Sequence, residues 1–224
     1  MVLLILISQA DSWHLNVGIV GTYVKYKDEI ALLKGGVSLS KKVFPVKYAF
    51  SLSSAYGTTN DNLTENSYLA TANVDYYITP RVEAFTLGEY MSDRIANINT
   101  RILAGGGLKY VFFKNDAGEL SLSGALLYNY EYRDTLKQNL GRYSLRLRYR
   151  WIPNDFVQLA LTTFYQPSMS DFSNDYWIWG NFEAKSRLSK SLFLKYTLSD
   201  RYENLTNPRN NLTMSLGVDY SLDF

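Results

Sequence analysis

The chain has 224 residues, with 23 Lys and Arg against 21 Asp and Glu, a single His, no Cys, and 15% aromatic residues that include 19 Tyr. A net charge of +2 makes no case for nucleic acid as a partner, and the lack of cysteine excludes disulfides, thiolate metal sites and cysteine nucleophiles. Mean hydropathy is −0.18, and no run approaches the roughly 18 apolar residues of a membrane-spanning helix.

The first ten residues read MVLLILISQA. An apolar run ending in Ser8-Gln9-Ala10 resembles the end of a secretory signal with a small-x-small cleavage site. It divides the chain into a signal remnant over 1–10 and a single domain over 11–224. From there on, segments alternate between apolar and polar residues and are punctuated by turn residues. The pattern predicts twelve strands, over 14–25, 29–40, 45–57, 66–79, 81–92, 98–113, 118–132, 141–152, 155–166, 175–188, 191–202 and 210–224. Successive side chains of a strand point to opposite faces, so the faces can be read directly. Strand four carries Tyr68, Ala70, Ala72, Val74, Tyr76 and Ile78 on one side. Strand seven carries Leu120, Leu122, Gly124, Leu126, Tyr128, Tyr130 and Tyr132, and strand eight Tyr143, Leu145, Leu147, Tyr149 and Trp151.

Connections alternate as well. Those at 41–45, 79–80, 114–118, 153–154 and 189–190 read as tight. Those at 57–65, 92–97, 133–140, 166–174 and 200–209 read as longer and more polar, while the first, near 25–29, is short. The last strand alternates without a fault. Leu212, Met214, Leu216, Val218, Tyr220, Leu222 and Phe224 share one face, and Thr213, Ser215, Gly217, Asp219, Ser221 and Asp223 the other.

These observations predict an all-β fold: a single transmembrane antiparallel up-and-down β-barrel of about 12 strands, lipid outside and a polar lumen inside. Outward faces this uniformly apolar would leave both sides of a soluble sandwich hard to solvate. An open sheet edge in hydrocarbon would expose unpaired peptide groups, so strand one should pair with strand twelve. An even strand count with both termini periplasmic puts the tight turns on that side of a Gram-negative outer membrane. Tyr23, Tyr90, Tyr130, Tyr132, Tyr143, Tyr165 and Tyr176 fall near the long-loop ends. Tyr48, Tyr76, Tyr110, Tyr149, Trp151 and Phe224 fall near the tight-turn ends, giving two aromatic girdles. Tyr220, Leu222 and Phe224 form the terminal aromatic pattern that resembles the insertion signal read by the barrel-insertion machinery.

Lumen chemistry follows from parity. Arg146, Arg148 and Arg150 share the polar face of strand eight, and Arg142 lies on the same face. Arg101 and Lys109 join them from strand six, and Lys185, Arg187 and Lys195 from strands ten and eleven. Such a set would lower the barrier for anions and bind carboxylates. Asp75, Glu83, Glu89, Glu131 and Glu183 also face inward, and pairing them with the cations would give a rigidifying salt-bridge network instead. Trp177 and Trp179 share the parity of Glu183 and Lys185 and would form an aromatic platform at the outer mouth. The triple glycine Gly105-Gly106-Gly107 opens no helix, so it reads as a bend or close approach, with Tyr128 or Tyr130 as covering side chain, rather than a phosphate loop. His14 stands alone at the start of strand one. Glu83 and Glu89 are roughly 20 Å apart along one strand, too far for acid–base work. Neither an enzyme nor a metal site is expected, and no cofactor.

Three stretches look familiar: Tyr90–Arg101 (YMSDRIANINTR), Ala104–Tyr110 (AGGGLKY) and Gly124–Asp134 (GALLYNYEYRD). Together they resemble the bacterial family of salt-induced outer-membrane proteins, a domain-of-unknown-function β-barrel family. The likeness is clearest from about residue 62 to 150. The first hairpin lacks the Gly-Asn-Thr-like stretch that the resemblance implies. What the resemblance implies is an outer-membrane barrel, with no catalytic residues to carry over. The expected function is a narrow channel for small anionic solutes. The alternative is a closed structural barrel supporting envelope integrity under salt or osmotic stress. Partners would be outer-membrane lipid, the insertion machinery and a small anionic solute.

Overall fold

The computed structural model describes residues 13–25, 29–94, 97–133, 136–205 and 210–223. The predicted signal remnant over 1–10 and the terminal Phe224 lie outside the described residues, as does the side chain of Tyr23. Twelve strands form one barrel: β1 (Trp13–Lys25), β2 (Glu29–Val43), β3 (Val46–Thr59), β4 (Asn62–Tyr77), β5 (Val82–Asp93), β6 (Ile98–Asn115), β7 (Gly118–Arg133), β8 (Leu136–Asn154), β9 (Val157–Pro167), β10 (Tyr176–Arg187), β11 (Leu192–Glu203) and β12 (Asn210–Asp223). Each pairs antiparallel with its sequence neighbours, and β1 with β12 closes the ring. All twelve predicted strands are present.

The loop asymmetry is weaker than the sequence suggests. The expected loop at 57–65 is a two-residue turn, Asn60-Asp61, with φ of 49° and 61°. Asn and Asp tolerate the left-handed region better than other non-glycine residues, and a turn with both central residues there matches strand twist. The expected loop at 133–140 is largely strand, since β8 begins at Leu136. Polar strand ends that stand clear of the apolar band read as loop because they lose the hydrophobic alternation, not the ladder. A longer connection remains at 168–175, between β9 and β10. It lies against the outside of the barrel, with the Phe172 ring 6.4 Å from Tyr143 and 5.9 Å from Tyr165. Met169 covers Gly141, where an added Cβ would stand 2.6 Å from its sulfur.

Outward positions are apolar and open. Leu33, Leu126, Met214 and Leu216 are each more than half exposed, an arrangement water solvates poorly and hydrocarbon well. Tyr48, Tyr76, Tyr110, Tyr149 and Trp151 ring the tight-turn end, and Tyr90 and Tyr143 are exposed at the loop end. The inward parity carries mostly polar residues around the ring, with an apolar cluster on β5, β6 and β7. Leu103, Ala125 and Leu127 are buried against one another and against Phe85 and Leu87, so the apolar core of this protein sits inside the lumen, against β5, β6 and β7.

That packing explains the triple glycine. Gly105 and Gly107 point inward opposite Leu127 and Ala125. A Cβ on Gly105 would collide with the Leu126 carbonyl, and one on Gly107 with the Gly124 carbonyl. The close approach is therefore made by the backbone of β7, and not by Tyr128 or Tyr130, which face outward. Closure is uneven around the ring. β1 pairs with β2 over thirteen residues, from Trp13 to Lys25, but with β12 over six only, from His14↔Asp223 to Ile19↔Val218.

Candidate functional site in the barrel lumen

Strand parity and register bring nearly all the predicted lumen residues to the inner face, and their side chains sort them into separate groups. At the loop end, Arg101 and Glu131 stand opposite each other on β6 and β7. Arg101 Nε donates to Glu131 Oε2 at 2.6 Å, and Arg133 Nε to the other carboxylate oxygen at 2.9 Å. Glu203 on β11 completes the group, 3.5 Å from Arg101 and 2.5 Å from Arg201. Arg142 donates to Asp175 at 2.8 Å and to the Gln166 carbonyl at 3.2 Å. Trp177 lies among these guanidiniums, which are 3.9 Å (Arg142), 4.7 Å (Arg101) and 5.5 Å (Arg201) from its ring centre. Arg101, Arg142 and Trp177 are all buried. Only about 180 Å³ of space remains among them. Removing Arg101 and Arg142 from water is tolerable only because each meets a carboxylate and a π face.

The middle of this half is filled by a chord of side chains. Trp179 stacks on Phe164 at 3.7 Å and 6°. Arg146 places its guanidinium 5.8 Å from Phe164 and 5.5 Å from Phe85, while Nε donates to Ser123. β8 thereby reaches a residue of β5, which is not its neighbour. Trp177 and Trp179 point into the lumen near the loop end, and both offer their faces to protein groups.

At the tight-turn end, Lys109 meets Glu83 at 2.5 Å, and Glu119 is shared by Lys114 at 3.6 Å and Arg150 at 3.7 Å. On β10–β12, Lys195 bonds Glu183 and Lys185 bonds Asp219, both at 2.8 Å. Arg187 lies 5.7 Å from the Phe193 ring. The predicted ladder on β8 is thus divided. Arg150 is paired with a carboxylate, whereas Arg146 and Arg148 enter no ion pair among the described residues. His14 Nε2 lies 3.3 Å from Ser221 Oγ at the exposed tight-turn rim.

The opposite wall, from β12 through β1 to β4, is built differently. Its inward positions include Asn16, Gly18, Gly36, Ser38, Ser51, Ser53, Ser67 and Ser215, which line a cavity of about 430 Å³ together with Lys34, Lys195, Asp93 and Asp219. Ser51 and Thr71 share a hydrogen bond of 2.7 Å across β3 and β4. Lys34 enters no ion pair among the described residues. Small side chains on one wall and large ones on the other leave the open space off-centre. The sequence reading missed the apolar filling at Phe85, Leu87, Leu103 and Leu127. A signal for it exists in β5, where the outward positions Ala84, Thr86 and Gly88 are small and the bulky residues share parity with Glu83 and Glu89.

The chain belongs to the family described as "Protein of unknown function, DUF481", whose model matches residues 32–221. The match begins within β2 and leaves β1 outside. No curated protein matches the sequence. Among solved structures, the translocator domain of the autotransporter NalP from Neisseria meningitidis is similar, with 12% identity and a TM-score of 0.60 over 94% of this chain and 88% of that one. The COG4313 outer membrane channel from Pseudomonas putida F1 shares 13% identity at a TM-score of 0.56, covering 96% and 95%. The KdgM porin shares 14% identity at 0.51, covering 94% and 99%, and has also been solved with disordered oligogalacturonate. At these identities the likeness is one of fold: the neighbours are outer-membrane barrels that act as channels or translocators.

Proposed function

We propose that this protein is a narrow channel of a Gram-negative outer membrane, with its passage running off-centre along the β12–β4 wall and favouring small anionic solutes. The observation that carries this reading is the hydroxyl-lined cavity left open beside a lumen half that side chains fill. Lys34 borders the cavity, and Arg146 and Arg148 add positive charge from β8 that no carboxylate within the described residues pairs directly. Fixed cations at the wall of a low-dielectric pore raise the local concentration of anions. KdgM, a porin of the same fold, was solved with a polyanionic saccharide, which fits this chemistry by analogy alone. Outward Tyr220 and Leu222 on β12 would serve the insertion machinery, with Phe224 completing the pattern.

A second reading is favoured by the loop-end cluster. Buried guanidiniums locked to Glu131, Glu203 and Asp175 are what a closed barrel needs to withstand stress, and support of the envelope under salt or osmotic load would follow. Single-channel conductance of the refolded protein in a planar bilayer, under a salt gradient, separates the two. Steady openings with anion-selective reversal potentials support the channel. Silence from protein shown to be folded and inserted leaves the closed barrel.

A further inference from the structure

Along the β2–β3 ladder the inward pairs run Gly36↔Ser53, Ser38↔Ser51, Ser40↔Ala49 and Lys42↔Lys47. The first two line the cavity of about 430 Å³. The lysine pair lies roughly 13 Å beyond Ser38↔Ser51 at the strand rise, at the tight-turn mouth of the lumen. Like charges directly opposite each other on one face repel. Lys42 Nζ sits 4.9 Å over the Tyr77 ring, which stacks on Phe44. That contact fixes the ammonium in place and leaves its charge uncancelled.

More positive charge faces the pair. Lys47 is within electrostatic range of Arg148, Lys109 and Lys114, and of Asp75. Four strands separate β3 from β8 on the shorter side of the ring, so Lys47 and Arg148 approach each other across the lumen. Lys109 is matched by Glu83, and Lys114 and Arg150 by Glu119. Lys47 and Arg148 enter no ion pair among the described residues, and neither does Asp75, which stands opposite Lys47 on β4. The loop end is different: Arg101, Arg133, Arg142 and Arg201 each meet a carboxylate. A barrel that needed only rigidity would pair its cations the same way at both ends. Gathering Lys42, Lys47 and Arg148 with Asp75 alone beside them costs stability, and an anionic ligand offsets that cost. A singly charged one would leave most of the repulsion in place. Lys42 and Lys47 are half-buried and Arg148 is open to the lumen, so all three heads can be reached.

We propose that the tight-turn mouth is a binding site for a multivalent oxyanion, held by Lys42 and Lys47 on one wall and by Arg148 on the other. The site deepens the proposed channel, and rests on that reading for the solute's passage through the serine-lined cavity, but binding at the mouth does not itself require conduction.

Calorimetric titration of inorganic tripolyphosphate into the refolded full chain, in phosphatidylcholine nanodiscs, reads the site directly. The expected result is saturable binding that weakens as sodium chloride is raised, with no measurable binding of acetate. Lys47→Gln and Arg148→Gln should each weaken tripolyphosphate binding about tenfold, and Lys47→Arg should retain it. Lys190→Gln, exposed in a tight turn at the same end, should leave binding unchanged. The urea midpoints of Lys47→Gln and Arg148→Gln should equal or exceed that of the wild type, because each removes a repulsion. No saturable binding to folded wild type, acetate bound as tightly as tripolyphosphate, or equal loss in all three glutamine variants would overturn the proposal. So would lowered midpoints with binding intact, which mark the two cations as structural. Conductance recorded on the same protein separates this site from the channel. Binding by a silent barrel keeps the site and removes the channel, whereas anion conductance without binding keeps the channel and removes the site.

Discussion

The two halves of the lumen solve the interior of a barrel in opposite ways. From β5 to β11 the wall projects Phe85, Leu87, Arg101, Leu127, Arg142, Arg146, Phe164, Trp177 and Trp179, and these fill the space in front of it. From β12 to β4 it projects mostly Ser, Gly, Asn and Ala, with Val20, Lys34, Leu69 and Asp219 among them, and a cavity remains. Both walls hang on the same antiparallel ladder, so backbone pairing does not decide which half is open. Side-chain volume does. In the packed half stability rests on core contacts and desolvated charge pairs. In the open half the ladder itself and the lipid outside carry the strands, and the lumen positions are free to serve a solute.

This contrast predicts where substitutions hurt. The largest effect is expected for Glu131→Ala, which strips Arg101 and Arg133 of a shared carboxylate in a buried setting. A loss of about 3–5 kcal/mol should follow, read as a lower urea midpoint in detergent or bilayer. Leu127→Ala empties part of the apolar cluster and should cost about 2–4 kcal/mol while leaving ion selectivity as it was. Gly107→Ala drives a Cβ into the β7 backbone and should cost about 1–3 kcal/mol through overpacking, visible as slower refolding yield and a lower midpoint. On the open wall the order reverses. Ser53→Trp should move stability by no more than about 0.5 kcal/mol, yet reduce single-channel conductance severalfold. Smallest in stability is Lys34→Glu, which should leave the unfolding midpoint in place and shift the reversal potential toward cation preference. If Ser53→Trp destabilised the barrel as much as Leu127→Ala, the division into a supporting half and a passage half would fail.

Alternation was legible because a membrane barrel writes it into every strand: lipid tolerates few polar side chains and the lumen accepts many. Strand number, order and the facing of Arg146 and Arg148 could therefore be read from residues alone. The faces of β7 and β8 needed no structure either. What parity cannot show is which of two inward residues meet. Arg101 and Glu131 are 30 positions apart, and Arg142 and Asp175 are 33 apart. Parity alone makes Arg150 the third rung of a ladder, whereas the β7–β8 register sets Glu119 across from it. Likewise the strand ends at Asn60-Asp61 and Leu136 carried a polar composition that resembles loop, since above the apolar band a strand has no need to alternate.

The sequence by itself determined a closed twelve-stranded barrel with an apolar outside, since a period of two is a local property and closure follows from the cost of a bare edge in hydrocarbon. Only the tertiary structure decided that the lumen is half filled, that three arginines gather on Trp177, and that the ladder between β1 and β12 stops at Ile19. Those depend on register summed around the ring and on side-chain volumes meeting across it, and neither quantity is written in any one strand.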